Sequence, residues 1–181
     1  MAGLADVGFV ETPEAPAGLA SRVVARDDLV LIVAPTHPWA RRHEPVTPSL
    51  LGRTSLILRE PGSGTREALE RALEATGVSL APPLLELGST AAVKRAALEG
   101  TGAVVLSRLA VQPEIEEGRL CLVPTRELDL ARSLRAVWVP GRLRPEPVVA
   151  LVRQASQGSA HPGGVDASPP ARPRARRRDA G

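Results

Sequence analysis

Apolar residues in this chain fall in short runs that alternate with stretches of helical spacing. Leu29 to Ala34 is a near-continuous apolar segment that reads as a strand, and Thr54 to Leu58 predicts the next. After the turn Pro61 to Gly64, the residues Ala68, Leu69, Ala72 and Leu73 share one helical face. They predict a helix from about Thr65 to Ala75, ended by Gly77 in a left-handed conformation. Leu84 to Leu87 reads as a third strand leading into Gly88, Ser89 and Thr90, where a second helix starts, runs to about Leu98 and closes at Gly100. Ala103 to Leu106 is a buried strand with Ser107 and Arg108 at its end. Farther on, Pro113 to Gly118 predicts a short helix, Leu120 to Pro124 and Leu134 to Val139 two strands. Glu146 to Gln154 predicts a last helix behind Pro145, whose fixed φ suits a first turn. Strand, helix, strand, helix, strand in succession is the order of an α/β fold.

Composition changes this picture at the C-terminal end. From Ser156 to Gly181 the chain is Gly, Pro, Ser, Ala and Arg with almost no large apolar side chain. It cannot bury enough surface to offset its ordering entropy, and a disordered tail is expected there. With aromatic residues at only 2%, the core must be aliphatic. Cys121 is the only cysteine, so no internal disulfide can form; between Leu120 and Leu122 it reads as a small sheet or core residue. No Cys/His cluster has the spacing of a zinc site, and no metal or cofactor is expected. The net charge is +3, and much of the excess sits in Arg172, Arg174, Arg176, Arg177 and Arg178, which leaves the folded part close to neutral or slightly acidic. Met1 to Glu11 carries Asp6 and Glu11 without a basic leader, and no stretch approaches the roughly 20 apolar residues of a membrane span, so a cytoplasmic protein with no membrane partner is expected.

Two turns place small hydroxyl residues where a strand meets a helix: Gly62, Ser63, Gly64 and Thr65 in one, Gly88, Ser89 and Thr90 in the other. Free N–H groups in a helix's first turn, together with the macrodipole, favour an anion there. The competing reading is that these hydroxyls only cap their helices. Two such turns on consecutive strand–helix units would open on the same carboxyl edge of the sheet, which favours a ligand site. Arg66 would either add charge to the ligand or point to solvent. The run Gly62 to Arg66 lacks the Gly-Lys-Ser/Thr ending of a phosphate loop and the glycine spacing of a dinucleotide fingerprint. His37, His43 and His161 lie in loop or tail contexts, and Ser107 has no evident base, so catalysis is not expected.

The order of segments resembles the effector-binding domain of LysR-type transcription regulators. The resemblance is carried by Asp28 to Val33, His37-Pro38-Trp39-Ala40, Leu58 to Arg66, Leu87-Gly88-Ser89-Thr90 with Val93, and Gly100-Thr101-Gly102 with Ala103 to Ser107. It covers roughly Leu4 to Ala155. It implies two α/β lobes of periplasmic-binding-protein type, Rossmann-like, joined by crossovers near Val24 to Val30 and Val123 to Arg135, with a small effector in the cleft. Lobe one would take about 1–25 and 136–155, lobe two about 30–123. Lobe two looks complete. Lobe one looks truncated, because Ala5 to Val10 resembles a strand that comes late in it, and no winged helix-turn-helix precedes Leu4. The resemblance implies effector contacts at Ser63, Thr65, Ser89 and Thr90; the reading of the turns adds Gly64 and Arg66 to the expected effector residues and gives a small carboxylate or oxyanion as the expected ligand. The full-length form would be a homodimer, and this chain alone would bind no specific DNA. A solute-binding protein of similar fold, or a small α/β enzyme acting on an anionic substrate, are the other readings.

Overall fold

The computed structural model describes residues 5–11, 14–141 and 145–157, and one long strand reaches through both parts of the fold. In chain order the elements are β1 (Gly8–Val10), β2 (Ala20–Val33), α1 (Pro48–Gly52), β3 (Ile57–Arg59), α2 (Gly64–Glu74), β4 (Leu85–Leu87), α3 (Thr90–Leu98), β5 (Val104–Ser107), α4 (Arg108–Glu116), β6 (Cys121–Val123), β7 (Ala131–Trp138) and α5 (Glu146–Gln157). The strands follow the order β1-β7-β2-β5-β3-β4, with β6 also paired to β2. From Ala20 to Asp28, β2 pairs antiparallel with β7, whose other neighbour is β1. From Leu29 to Val33 it pairs antiparallel with β5 and β6. β3 lies parallel to both β4 and β5. The change of partner at Asp28/Leu29 divides a small layer, β1-β7-β2 backed by α5, from a larger α/β layer.

The alternation of side chains along the larger sheet explains the apolar runs. Leu29, Leu31 and Val33 of β2, Leu58 of β3 and Val105 of β5 face one way, onto Leu69 and Leu73 of α2. Ile32, Ile57, Val104 and Leu106 face the other way, onto Val93 and Ala97 of α3 and Val111 of α4. Both faces are dry, so polar alternation is absent and the strands read as continuous. Burial of a side chain such as Leu73 contributes about 1.5–3 kcal/mol relative to leaving it in water. The small layer holds a much smaller core of Val24, Ala136 and Val152, edged by Val7, Leu134 and Trp138.

Several boundaries differ from the sequence expectation. β2 begins at Ala20 rather than Leu29, through a polar segment that includes Arg22, Arg26, Asp27 and Asp28. α4 begins at Arg108 and carries Pro113 inside it, where a helix opening at the proline was expected. A 3₁₀ turn at Pro38–Arg41 and α1 are additional elements. α5 runs through Ser156, whose hydroxyl donates to the Val152 carbonyl, and Gln157; the rest of the expected tail, 158–181, lies outside the described residues.

The polar half of β2 is explained by its partner. Asp27 stands opposite Arg132 of β7, and both are buried, with side chains 3% and 8% exposed. Arg132 donates from Nε and Nη2 to Asp27 Oδ2 at 2.8 and 2.6 Å, while Asp27 Oδ1 accepts from Ser107 Oγ at 2.9 Å. One carboxylate therefore ties β2, β7 and β5 together. Replacing Asp27 by alanine leaves a buried guanidinium short of its partner and should cost about 3–5 kcal/mol in urea unfolding. Ser107→Ala, which removes one hydrogen bond, should cost about 1 kcal/mol. Equal effects of the two would show that the ion pair does not hold the layers together. A third substitution tests packing: a Cβ on Gly52 would fall 2.2 Å from Val78 Cγ1 and 2.8 Å from the Ser79 carbonyl oxygen. Gly52→Ala should lose about 1–3 kcal/mol, and adding Val78→Ala should not restore it, since the backbone clash remains.

Candidate functional site

Because β3, β4 and β5 are parallel, their carboxyl ends share one edge, and each passes directly into a helix: β3 into α2, β4 into α3, β5 into α4. The first passage is a tight turn in which Ser63 N–H donates to the Glu60 carbonyl at 3.2 Å. Pro61 sits at its second position and Gly62, with φ +84°, at its third, which is the residue pattern of a type II turn. It sets Ser63, Gly64 and Thr65 at the edge. The second passage ends at Ser89, whose Oγ accepts from Ala92 N–H at 3.1 Å and caps α3, leaving Thr90 as the first helical residue. The third ends at Ser107, the residue before α4.

These turns border a cleft of about 510 Å³, to which the larger layer gives Ser63, Gly64, Thr65, Thr90 and Ser107 and the small layer gives Arg132 and the neighbouring Glu11. Arg59 and Glu60 also line it. Arg59 holds Glu60 through two hydrogen bonds of 2.8 Å and donates from Nη1 to Thr90 Oγ1 at 2.7 Å. Those bonds from Arg59 draw the Glu60 carboxyl down to about 2, so the pair stays ionised at neutral pH. Arg132, besides Asp27, donates from Nη1 to the Glu11 carboxylate, and Thr65 Oγ1 lies 3.4 Å from the same nitrogen. Glu11 presses on the start of α2 so closely that a Cβ on Gly64 would stand 2.5 Å from its Oε2. Two guanidiniums thus meet three carboxylates, Glu11, Asp27 and Glu60.

Of the residues singled out from sequence, the structure brings Ser63, Gly64, Thr65 and Thr90 to the cleft. Ser63 is 8% exposed and its hydroxyl makes no capping bond to α2. Ser89 is exposed and serves α3 as its cap. Arg66 turns away: it pairs with Glu70 at 2.8 Å and Glu86 at 2.6 Å, and it also donates to the Arg59 carbonyl at 3.2 Å. The glutamates hold its guanidinium above its ordinary range, Glu70 first. Sequence reasoning passed over Arg59, Glu60, Glu11, Asp27 and Arg132. Arg59 had a local signal, a charge at the carboxyl end of a strand beside the turn. Ser107 does have a carboxylate neighbour, Asp27, but it is one committed to Arg132. Among the described residues no group of three or more His, Cys, Asp or Glu is placed to hold a metal ion, and no helix is long and apolar enough to cross a membrane.

Comparison with known proteins gives this cleft a context. An uncharacterized HTH-type transcriptional regulator of Mycobacterium tuberculosis, Rv2282c, is 49% identical over 146 residues, which cover 79% of this chain and 47% of that protein. The HTH-type transcriptional regulator CbbR of Xanthobacter flavus is 32% identical over 132 residues, 73% of this chain and 40% of the relative. The chain spans about half the length of these curated relatives. Among solved structures, the regulatory domain of CcmR from Synechocystis PCC6803, in complex with 2-PG, superposes with a TM-score of 0.73 at 25% identity, covering 87% of this chain and 74% of that one. The fold is the two-lobe, periplasmic-binding-protein-like fold of such regulatory domains. The family described as the LysR substrate binding domain matches residues 1–160, and the chain belongs to that family.

Proposed function

We propose that this chain is the effector-sensing part of a cytoplasmic LysR-type transcription regulator, and that a small anion binds in the cleft against Ser63, Gly64, Thr65 and Thr90. The observation that carries the reading is Ser63, a buried residue whose hydroxyl caps nothing and which lines a cleft onto which α2 opens with its free N–H groups. Ser89 and Arg66 act at one remove, Ser89 by fixing the start of α3 and Arg66 by holding the Arg59 carbonyl. The lobe limits we propose follow the change of partner along β2, with β1, β7 and α5 in lobe one and the α/β layer in lobe two. Binding rather than catalysis is supported by the commitment of Asp27 to Arg132, which leaves Ser107 without a free base. DNA recognition and homodimer formation belong, in this reading, to the longer protein, as the length of the HTH-type relatives supports.

Calorimetric titration with inorganic sulfate and with 2-PG tests the site. Thr65→Val and Thr90→Val keep shape and remove a hydroxyl, so affinity should fall by about 1–2 kcal/mol for each hydrogen bond lost. Thermal melts of the same variants separate this loss from any loss of stability. Unchanged affinity in both variants would mean that the turns serve only their helices.

A further inference from the structure

The α2 end of the cleft already holds an anion, and it belongs to the chain itself. Glu11 follows β1, in the small layer, and reaches across to the first residue of α2, in the larger one. Its carboxylate takes the Arg132 Nη1 donor that points into the cleft, while Nε and Nη2 are turned to Asp27. It lies over Gly64, the one residue type that admits so close an approach, in the cleft that the uncapped Ser63 also lines. The helix terminus, an arginine N–H and a free hydroxyl are the donors an anionic ligand would use.

The two carboxylates on Arg132 differ in what it costs to move them. The Asp27 side chain is 3% exposed, so it has no water to return to. The Glu11 side chain is 35% exposed, and a turn about its own bonds returns the carboxylate to solvent. Charge makes the same distinction: with Glu11 in place the cleft's two guanidiniums are outnumbered by carboxylates, and an incoming anion meets no unpaired arginine.

We propose that Glu11 is an internal competitor, a tethered carboxylate that occupies the effector's anion position, so that an anionic effector binds by displacing it and in doing so releases β1 from α2. The proposal rests on the cleft reading above. A tethered group acts at an effective concentration in the millimolar range or higher, so the ligand class that succeeds is a doubly charged oxyanion group, a sulfate or phosphate type, ahead of a lone carboxylate of similar size. Displacement also gives binding a mechanical consequence, because the Glu11 contact joins the two layers.

The test is calorimetry on the full chain with sulfate and with acetate at constant ionic strength, comparing the parent with Glu11→Gln and Glu11→Ala. Competition predicts that both anions tighten at least fivefold and by the same factor, since the same competitor is removed from each. Simple loss of a negative charge from the cleft's field predicts instead that sulfate, with twice the charge, tightens by about the square of the acetate factor; that outcome overturns the proposal. Unchanged affinity overturns it as well. If Thr90→Val weakens sulfate binding while the Glu11 variants leave it unaltered, the cleft reading stands and the role of Glu11 falls. If sulfate binding responds to none of Thr65, Thr90 and Glu11, both fall. A readout on the unmutated chain guards against a folding defect in the variants: amide exchange over 8–10 should speed up when sulfate binds, and protection that is unchanged or higher would refute displacement.

Discussion

Placing Arg132 and Asp27 side by side in the interior strips water from two charges at once, and such an arrangement persists only where the geometry is tight and the remaining polar groups are satisfied. Here they are: Asp27 also accepts from Ser107, and Arg132 spends its outer N–H on Glu11. The pair sits where β2 changes partners. It fixes β7 against β2 on one side and, through Ser107, aligns the end of β5 on the other. Everything at the cleft is measured from this point, because Ser107 and Arg132 are also part of its lining.

The wall built by α2, α3 and α4 is a consequence of parallel strands. Their carboxyl ends share an edge, so the helices that follow begin there, and first-turn donors collect without any residue having been selected for charge. Guanidiniums then supply what helix termini cannot, directional donors, and each is balanced by a carboxylate: Arg59 by Glu60, Arg132 by Asp27 and Glu11. A cleft arranged this way is polar yet carries no large net charge, in keeping with the near-neutral folded part of the chain.

How much of this was legible in the sequence depends on range. The helix Gly64–Glu74 and the helix Thr90–Leu98 were read almost to the residue, since apolar spacing and the small residues at their ends are local signals. The larger sheet was legible because its strands are apolar on both faces. The first half of β2 was not: Asp27 and Asp28 argue against a strand unless Arg132, far along the chain, is known to stand opposite. The same limit applies to the cleft. The hydroxyl turns announce themselves, and Ser63, Gly64, Thr65 and Thr90 were found by them. Asp27 and Arg132 come from β2 and β7 and Glu11 from the residue after β1, and the association of these strands is a tertiary fact. Arg66 was singled out because it stands beside the turn, but its helical position turns it toward Glu70 and Glu86.

The small layer is assembled from the two ends of the described chain, with the whole α/β layer between them. β1 precedes the whole α/β layer in sequence, yet its partner β7 follows only after β6. The α/β layer can form from strands and helices that adjoin in sequence, whereas β1 must close a loop of more than a hundred residues to find its register, Gly8 opposite Val137. During synthesis Phe9, which stays 46% exposed even in the finished fold, waits beside an unpaired strand edge. The strand that leads into Glu11 thus depends on the pairing most distant in sequence among the described strands, and its register is expected to be set after the larger core has formed.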